Sequence, residues 1–435
     1  MVLQEYTSSL LQEKIYYQKA PGGLRVYLMP KAYSKYYAVY AAQYGSIDST
    51  FLVPGEQEPV EVPDGIAHFL EHKMFEKEWG SVFDQFAQLG GSANAFTSYD
   101  LTAYLFSCTE RFSENLALLL NFVQTPYFTD ETVEKEKGII EQELRMYLDD
   151  PNRRIYQNLL EALYHENPVR KDIGGTVESV RTITKELLYR CYNTFYHPSN
   201  MILFAVGNFD PNEVFEQIFR DLEARYLQEQ PPIQRFYPQE PTGVRERKVT
   251  NEMDVSRPRY LMGYKDPVTG LRGRALMERE ISGTLLLSIA LGSSSTLYNQ
   301  LYDAGLIDDS FTASYVVSPN YGHVILGGNT PDPERLHEAL VKGLKELSQK
   351  GIDRGDFERN KRRTIGHFVS SFNSIQSVAH NFIYSQFNDI WLFDYLPAME
   401  NATLEQVERI LGDFMDESQM AVSVVYPYGS KGREE

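Results

Sequence analysis

The same order of strand-like and helical segments occurs twice in this chain, on either side of a proline-rich stretch, and that repetition limits what it can fold into more than any single motif does. Strand-like runs rich in Tyr, Val and Ala lie near residues 24–29 and 36–44, separated by Pro30, Lys31 and Ser34. Helical patterns follow near 65–76 and 81–89, the second closed by Gly90-Gly91, where glycine can take a left-handed cap. Strands near 92–97 and 101–108, helical periodicity over 110–195, a strand at 201–206 and a helix over 212–227 complete the first half. The second half runs through strands near 248–255 and 259–264, a helical region to about 306, strands at 311–317 and 322–327, long helices and a last strand at 420–426. Residue identity between the halves is faint, so the duplication rests on element order.

Between the halves, residues 228–242 carry Pro231, Pro232, Pro238 and Pro241, which cannot continue a helix and have little to bury. A chain of 435 residues also exceeds the ~250–300 residues at which one core stops growing. The expected fold is α+β: two structurally similar domains, each a mostly antiparallel sheet packed with helices, over 1–228 and 244–435, with a linker at 229–243.

The formal charge of −18 repels both a phosphate backbone and an anionic lipid surface, which excludes nucleic acid and membrane as main partners. The first residues lack a basic segment followed by an apolar run, and no stretch reaches the ~18 uninterrupted apolar residues of a membrane span. A cytoplasmic protein is the expectation. Cys108 and Cys191 sit in apolar contexts without metal spacing and read as buried free thiols.

The sharpest local signal is His68-Phe69-Leu70-Glu71-His72. On a helix, positions four apart lie on one face, so the two imidazoles can converge on an ion with Glu71 beside them. This is the H-x-x-E-H order, in which two histidines bind zinc and the glutamate serves as base. The alternative is a helix with two ordinary histidines. Against it stand Ile66, Phe69, Leu70 and Met74, which bury the helix, because burying two imidazoles beside a carboxylate is unfavourable without a cation.

A second stretch, residues 134–147, places Glu136, Ile140, Glu143 and Tyr147 at i, i+4, i+7 and i+11, so two carboxylates share a stripe with an aliphatic and an aromatic residue. Read alone, it is better explained as a solvated acidic helix with Glu–Lys pairs.

Together the two stretches resemble the insulinase and mitochondrial processing peptidase family of zinc peptidases, in particular a bacterial subunit that carries the zinc motif. The resemblance implies two domains enclosing a substrate cavity. It also implies Zn2+ held by His68, His72 and Glu143, with Glu136 a supporting catalytic carboxylate, because Glu136 and Glu143 match the family's spacing of Glu, six residues, Glu. Residues 91–104 resemble its substrate-binding edge strand, where Asn94 and Ala95 would receive an extended peptide through backbone hydrogen bonds. Residues 195–201 and 207–210 resemble the close of its first domain. The implied activity is a metalloendopeptidase acting on unstructured peptides or short polypeptides, with Glu71 taking a proton from the attacking water. Imidazole and carboxylate ligands also accept manganese or cobalt.

One departure bears on partners. Where single-chain members carry Arg and Tyr in a stretch like L-R-x-x-G-L-x-Y, this chain has Tyr302 and Asp308. A homologous partner supplying Arg and Tyr, in a heterodimer, is the favoured explanation, with a donor from Tyr302 or Tyr315 as the alternative; a homodimer also remains open. The competing functional classes are a non-hydrolytic peptide-binding or scaffold subunit and a peptide or protein maturation factor. Retention of the whole zinc motif favours the enzyme. The remaining histidines, 165, 197, 323, 337, 367 and 380, are isolated in sequence and read as ordinary core or surface residues.

Overall fold

The computed structural model describes residues 3–223 and 228–429. The chain forms two compact units, each assembled from non-contiguous segments: Met1–Leu144, Asp172–Tyr237 and Ser371–Phe387 in the first, Arg145–Lys171, Pro238–Ser370 and Asn388–Glu435 in the second.

The first unit contains a seven-stranded sheet. Its strands are β1 (Gln4–Ser8), β2 (Glu13–Lys19), β3 (Arg25–Pro30), β4 (Tyr36–Ala42), β5 (Ser92–Thr97), β6 (Thr102–Cys108) and β7 (Met201–Gly207). They lie in the order β1-β2-β3-β7-β4-β6-β5. The second unit contains β8 (Lys248–Met253), β9 (Arg259–Lys265), β10 (Thr312–Val317), β11 (Gly322–Asn329) and β12 (Met420–Pro427), in the order β8-β12-β9-β11-β10. Setting aside the β1–β2 hairpin, the two sheets have the same order and the same orientations. In each, the first strand pairs in parallel with the last, β3 with β7 and β8 with β12, and every other neighbour is antiparallel. Element order read from sequence therefore corresponds to a true repetition of topology.

Strand and helix boundaries agree with the expected ones to within a few residues. The expected helix over 212–227 is seen as Pro211–Glu223, and residues 224–227 lie outside the described residues. The β1–β2 hairpin was not expected. Its residues are mostly polar and exposed or half-buried, so it carries no apolar alternation to read.

Two helices belong to the unit opposite to the one their sequence position suggests. Helix Pro151–Leu163 packs on β9 and β12 of the second sheet, while helix Ile375–Phe387 packs on β4 and β7 of the first. A division at a single linker leaves out both exchanges. The proline-rich segment is also less loose than its composition suggests. Residues Gln234–Arg235 pair with Phe51 and Leu52. The Arg235 guanidinium lies 3.1 Å from the buried Asp48 carboxylate, which also accepts the Tyr237 hydroxyl at 2.7 Å and the Gly45 N–H at 2.9 Å. In the second unit the Glu240 carboxylate accepts backbone N–H groups of His165, Glu166 and Asn167 at 2.9, 2.9 and 2.8 Å and the Lys265 ammonium at 2.9 Å. The chain leaves one unit and enters the other through anchored backbone.

Cys108 and Cys191 are buried and free. No single helix among the described residues is long and apolar enough to cross a membrane.

The second sheet buries a histidine completely. His323 on β11 has Nδ1 3.0 Å from the Tyr164 hydroxyl, which itself donates to the Gly322 carbonyl at 2.7 Å. Burial holds its pKa down at about 4, and among the described residues Nε2 has no hydrogen-bond partner to receive a second proton. The sign follows from linkage: a pKa depressed below the unfolded value of 6.5 stabilises fully above 6.5, and that stability is lost as pH falls towards 4. His323→Asn is expected to remove about 3 kcal/mol of the stability difference between pH 7 and pH 4, which urea titrations of both proteins across that range would measure.

Candidate metal centre

The helix Ile66–Lys73 starts where its surroundings allow no side chain. Gly65 has φ +87°, and a Cβ on it would lie 2.2 Å from the Gly174 carbonyl oxygen. The Ser179 hydroxyl, on the short helix Val177–Arg181, donates to the Asp64 carbonyl at 2.8 Å and so clamps the start of this helix. Ile66, Ala67, Phe69, Leu70 and Met74 are fully buried, which leaves one face for His68, Glu71 and His72.

The helix Asp130–Leu148 supplies the opposing face. Its buried stripe is Val133, Glu136, Ile140 and Leu144, and Glu143 adjoins it half-buried. Glu136 is only 8% exposed, so this is not an acidic face turned to water. Lys73 ties the two helices together. Fully buried, its ammonium donates to Glu76 at 2.5 Å and to the Thr132 carbonyl at 3.4 Å, and Glu76 in turn pairs with Lys135 at 3.3 Å.

These contacts bring His68, His72 and Glu143 together. One nitrogen of each imidazole and one Glu143 oxygen all lie within 4.8 Å of one another. His72 Nε2 is 3.5 Å and His68 Nε2 3.9 Å from Glu143 Oε2. Zinc with tetrahedral bonds of ~2.0–2.1 Å places its ligand atoms roughly 3.3–3.5 Å apart, so this donor set fits the ion with a slight contraction. Two neutral imidazoles and one carboxylate leave one position of a tetrahedral ion open, as in catalytic rather than structural sites.

Glu136 stands behind the cluster. Its Oε1 is 3.1 Å from His72 Nδ1, and because a carboxylate can only accept, the imidazole donates there and turns its Nε2 lone pair towards Glu143. Burial opposes a charge on His72, but the Glu136 hydrogen bond and the charges of Glu71, Glu136 and Glu143 outweigh it and raise its pKa. The same carboxylates favour a divalent cation between them.

Glu71 is not among the three grouped donors. Burial holds its pKa above the usual carboxylate range and the Glu143 charge adds to this, while the Thr97 hydroxyl and His72 pull it down. The Thr97 hydroxyl donates to Glu71 Oε2 at 2.6 Å. Sequence reasoning passes over both Lys73 and Thr97. Strand alternation alone would have drawn attention to Thr97, since it puts 95 and 97 on one face.

Asn94 and Ala95 lie on β5, which is the edge of its sheet and, among the described residues, pairs only with β6. Asn94 is exposed, and its side-chain oxygen accepts the Ala95 N–H at 2.9 Å. Within the second unit, Tyr302 is 48% exposed on helix Thr296–Asp303, and Asp308 accepts the Ser310 N–H at 2.9 Å. The Tyr315 hydroxyl is committed to Asp266, whose carboxylate also pairs with Arg279. Several isolated histidines are hydrogen-bonded away from the cluster: His197 to Ser199, His323 to Tyr164, His337 to Tyr260 and His380 to Tyr37.

The family model for insulinase (peptidase family M16) matches residues 57–177, and that for the peptidase M16 inactive domain matches residues 182–364. YmfH of Bacillus subtilis strain 168, described as an uncharacterized zinc protease, is 43% identical over 418 residues, 96% of this chain and 97% of the relative. The crystal structure of an M16-like peptidase from Alicyclobacillus acidocaldarius matches with a TM-score of 0.92 at 39% identity, covering 98% of this chain and 99% of the other. A protease of Helicobacter pylori shares the fold at 20% identity, with a TM-score of 0.79 and 95% of this chain covered.

Removing the carboxylate behind His72 tests its orienting role. Glu136→Gln is expected to weaken zinc binding roughly 10–100-fold, the range for loss of a partner that orients a ligand, in competition titrations against a chromophoric chelator. Unchanged affinity would exclude that role.

Proposed function

Because the chain belongs to the insulinase (M16) family of peptidases, we propose that it is a zinc metalloendopeptidase, or the catalytic subunit of one, acting on unstructured peptides and short polypeptides. The observation that carries this reading is the convergence of His68, His72 and Glu143 from two helices on one point, with the buried Glu71 carboxylate beside His72. A scaffold subunit would have no need to bury this group of charges.

His68, His72 and Glu143 would hold the zinc, which when bound supplies a Lewis acid that polarises a peptide carbonyl and eases the ionisation of water. Glu71 takes the proton from the attacking water and returns it to the leaving amine. Burial raises its pKa above the usual carboxylate range, which makes it a stronger base towards the water proton. Glu136 acts on His72 rather than on substrate. An extended peptide adds to β5 at Asn94 and Ala95, displacing the Asn94 side chain from the Ala95 N–H, and backbone pairing of this kind favours breadth over sequence specificity.

A second proposal concerns assembly. Tyr302 and Asp308 stand where single-chain members of the family carry Arg and Tyr, and an acidic group near a developing oxyanion opposes the reaction. Tyr315, the internal alternative, already gives its proton to Asp266. These facts favour a homologous partner that completes the site, and full activity with tight peptide binding by the isolated chain would sink that idea.

Purified chain loaded with zinc and assayed on an unstructured fluorogenic peptide tests the main reading. One zinc per chain is expected, with cleavage reduced about 10²–10⁴-fold by Glu71→Gln, the contribution typical of a general base. Stoichiometric zinc without cleavage would leave the partner as the missing part, and no zinc binding would undo the assignment of His68, His72 and Glu143.

A further inference from the structure

We infer that Thr97 is a positioning residue for Glu71, and that it makes the aim of the base depend on the edge strand that would receive the peptide. The inference rests on the peptidase reading above.

Thr97 is the last residue of β5 and pairs in register with Thr102 at the start of β6. Its hydroxyl oxygen lies 2.6 Å from Glu71 Oε2, within the range of charge-assisted hydroxyl–carboxylate bonds. An ionised carboxylate only accepts, so the single Thr97 proton points to Glu71. Thr102 does not reverse this direction, because its hydroxyl gives its own proton to the Tyr44 carbonyl at 2.9 Å and stands 3.4 Å from Thr97. Each hydroxyl thus gives its one proton to a different acceptor, Thr102 to the Tyr44 carbonyl and Thr97 to the Glu71 carboxylate.

Two consequences follow. A neutral hydroxyl holds Oε2 without competing for the proton, so Oε1 is the oxygen left to accept it. In addition, Glu71 belongs to a helix, whereas Thr97 belongs to the strand two residues beyond Ala95, on the same face of β5. A peptide pairing with β5 would fix the backbone that carries Thr97, and through it the carboxylate. Substrate binding and orientation of the base would then be linked by one hydrogen bond.

A merely structural threonine contributes its branched shape, whereas a positioning one contributes its hydroxyl. Thr97→Val keeps the shape and removes the donor; Thr97→Ser does the reverse. Both would be assayed beside wild type and Glu71→Gln, in the assembly in which wild type is active, together with zinc stoichiometry, zinc affinity and melting temperature. Thr97→Val is expected to lower kcat roughly 10–100-fold, the scale of one hydrogen bond to a charged group, with KM and zinc affinity within about twofold of wild type. Thr97→Ser is expected to restore kcat to within about threefold. A Val variant as active as wild type, a Ser variant as impaired as Val, or loss of zinc in the Val variant would each overturn the inference. Should Glu71→Gln cleave as well as wild type in that assembly, the peptidase reading itself fails and takes this inference with it.

Discussion

Two imidazoles and three carboxylates are gathered at the crossing of helices Ile66–Lys73 and Asp130–Leu148, and much of the first unit serves to hold them there. Placing so many acidic groups out of water is unfavourable unless a cation shares the space. Lys73, wholly buried beside them, is spent on Glu76 and the Thr132 carbonyl rather than on these three carboxylates. The compensation falls to whatever lies between His68, His72 and Glu143. A divalent metal satisfies the donor set in a way that protonation cannot, because one proton can be shared by at most two of the three groups.

The packing around this crossing is correspondingly unforgiving. Gly65 and the Gly174 carbonyl meet with no room for a side chain, and the buried stripe of the second helix passes through Glu136 rather than around it. The sheet contributes from its edge, where the Thr97 hydroxyl of β5 reaches the Glu71 carboxylate. The proposed metal ligands, base and peptide-binding strand thus come from three elements whose relative placement is set by core packing.

The second unit repeats the same strand order with different chemistry. The Arg279–Asp266–Tyr315 network engages β10 and the helix Gly273–Leu291, and no His–Glu cluster able to hold a metal occurs there among the described residues. Duplication of topology has been kept while the buried polar groups have been rewritten as a self-satisfied network. A neutral, buried His323 shows the same preference for internal pairing over ionisation.

Much of this was legible from sequence because it is local. The spacing of His68, Glu71 and His72 on one helical face, the shared stripe of Glu136 and Glu143, and the doubled order of strands and helices all depend on periodicities of a few residues, and each is present in the structure. What depends on distant contacts was not legible. The amphipathic pattern of helix Pro151–Leu163 or Ile375–Phe387 says that a face is buried, not which sheet buries it, so the exchange of helices appears only in three dimensions. The polar β1–β2 hairpin is held by pairing to β3 rather than by its own apolar pattern. Sequence suggests Glu136 as a supporting catalytic carboxylate, whereas its 3.1 Å contact to His72 Nδ1, on which the proposed orienting role rests, is visible only in the structure. Sequence alone determined the chemistry available, since residue types at helical spacing settle which groups can meet on one face. Tertiary structure decided the division of labour among those groups, because a carboxylate's role depends on which atom it reaches, and that is fixed by packing between segments far apart in the chain.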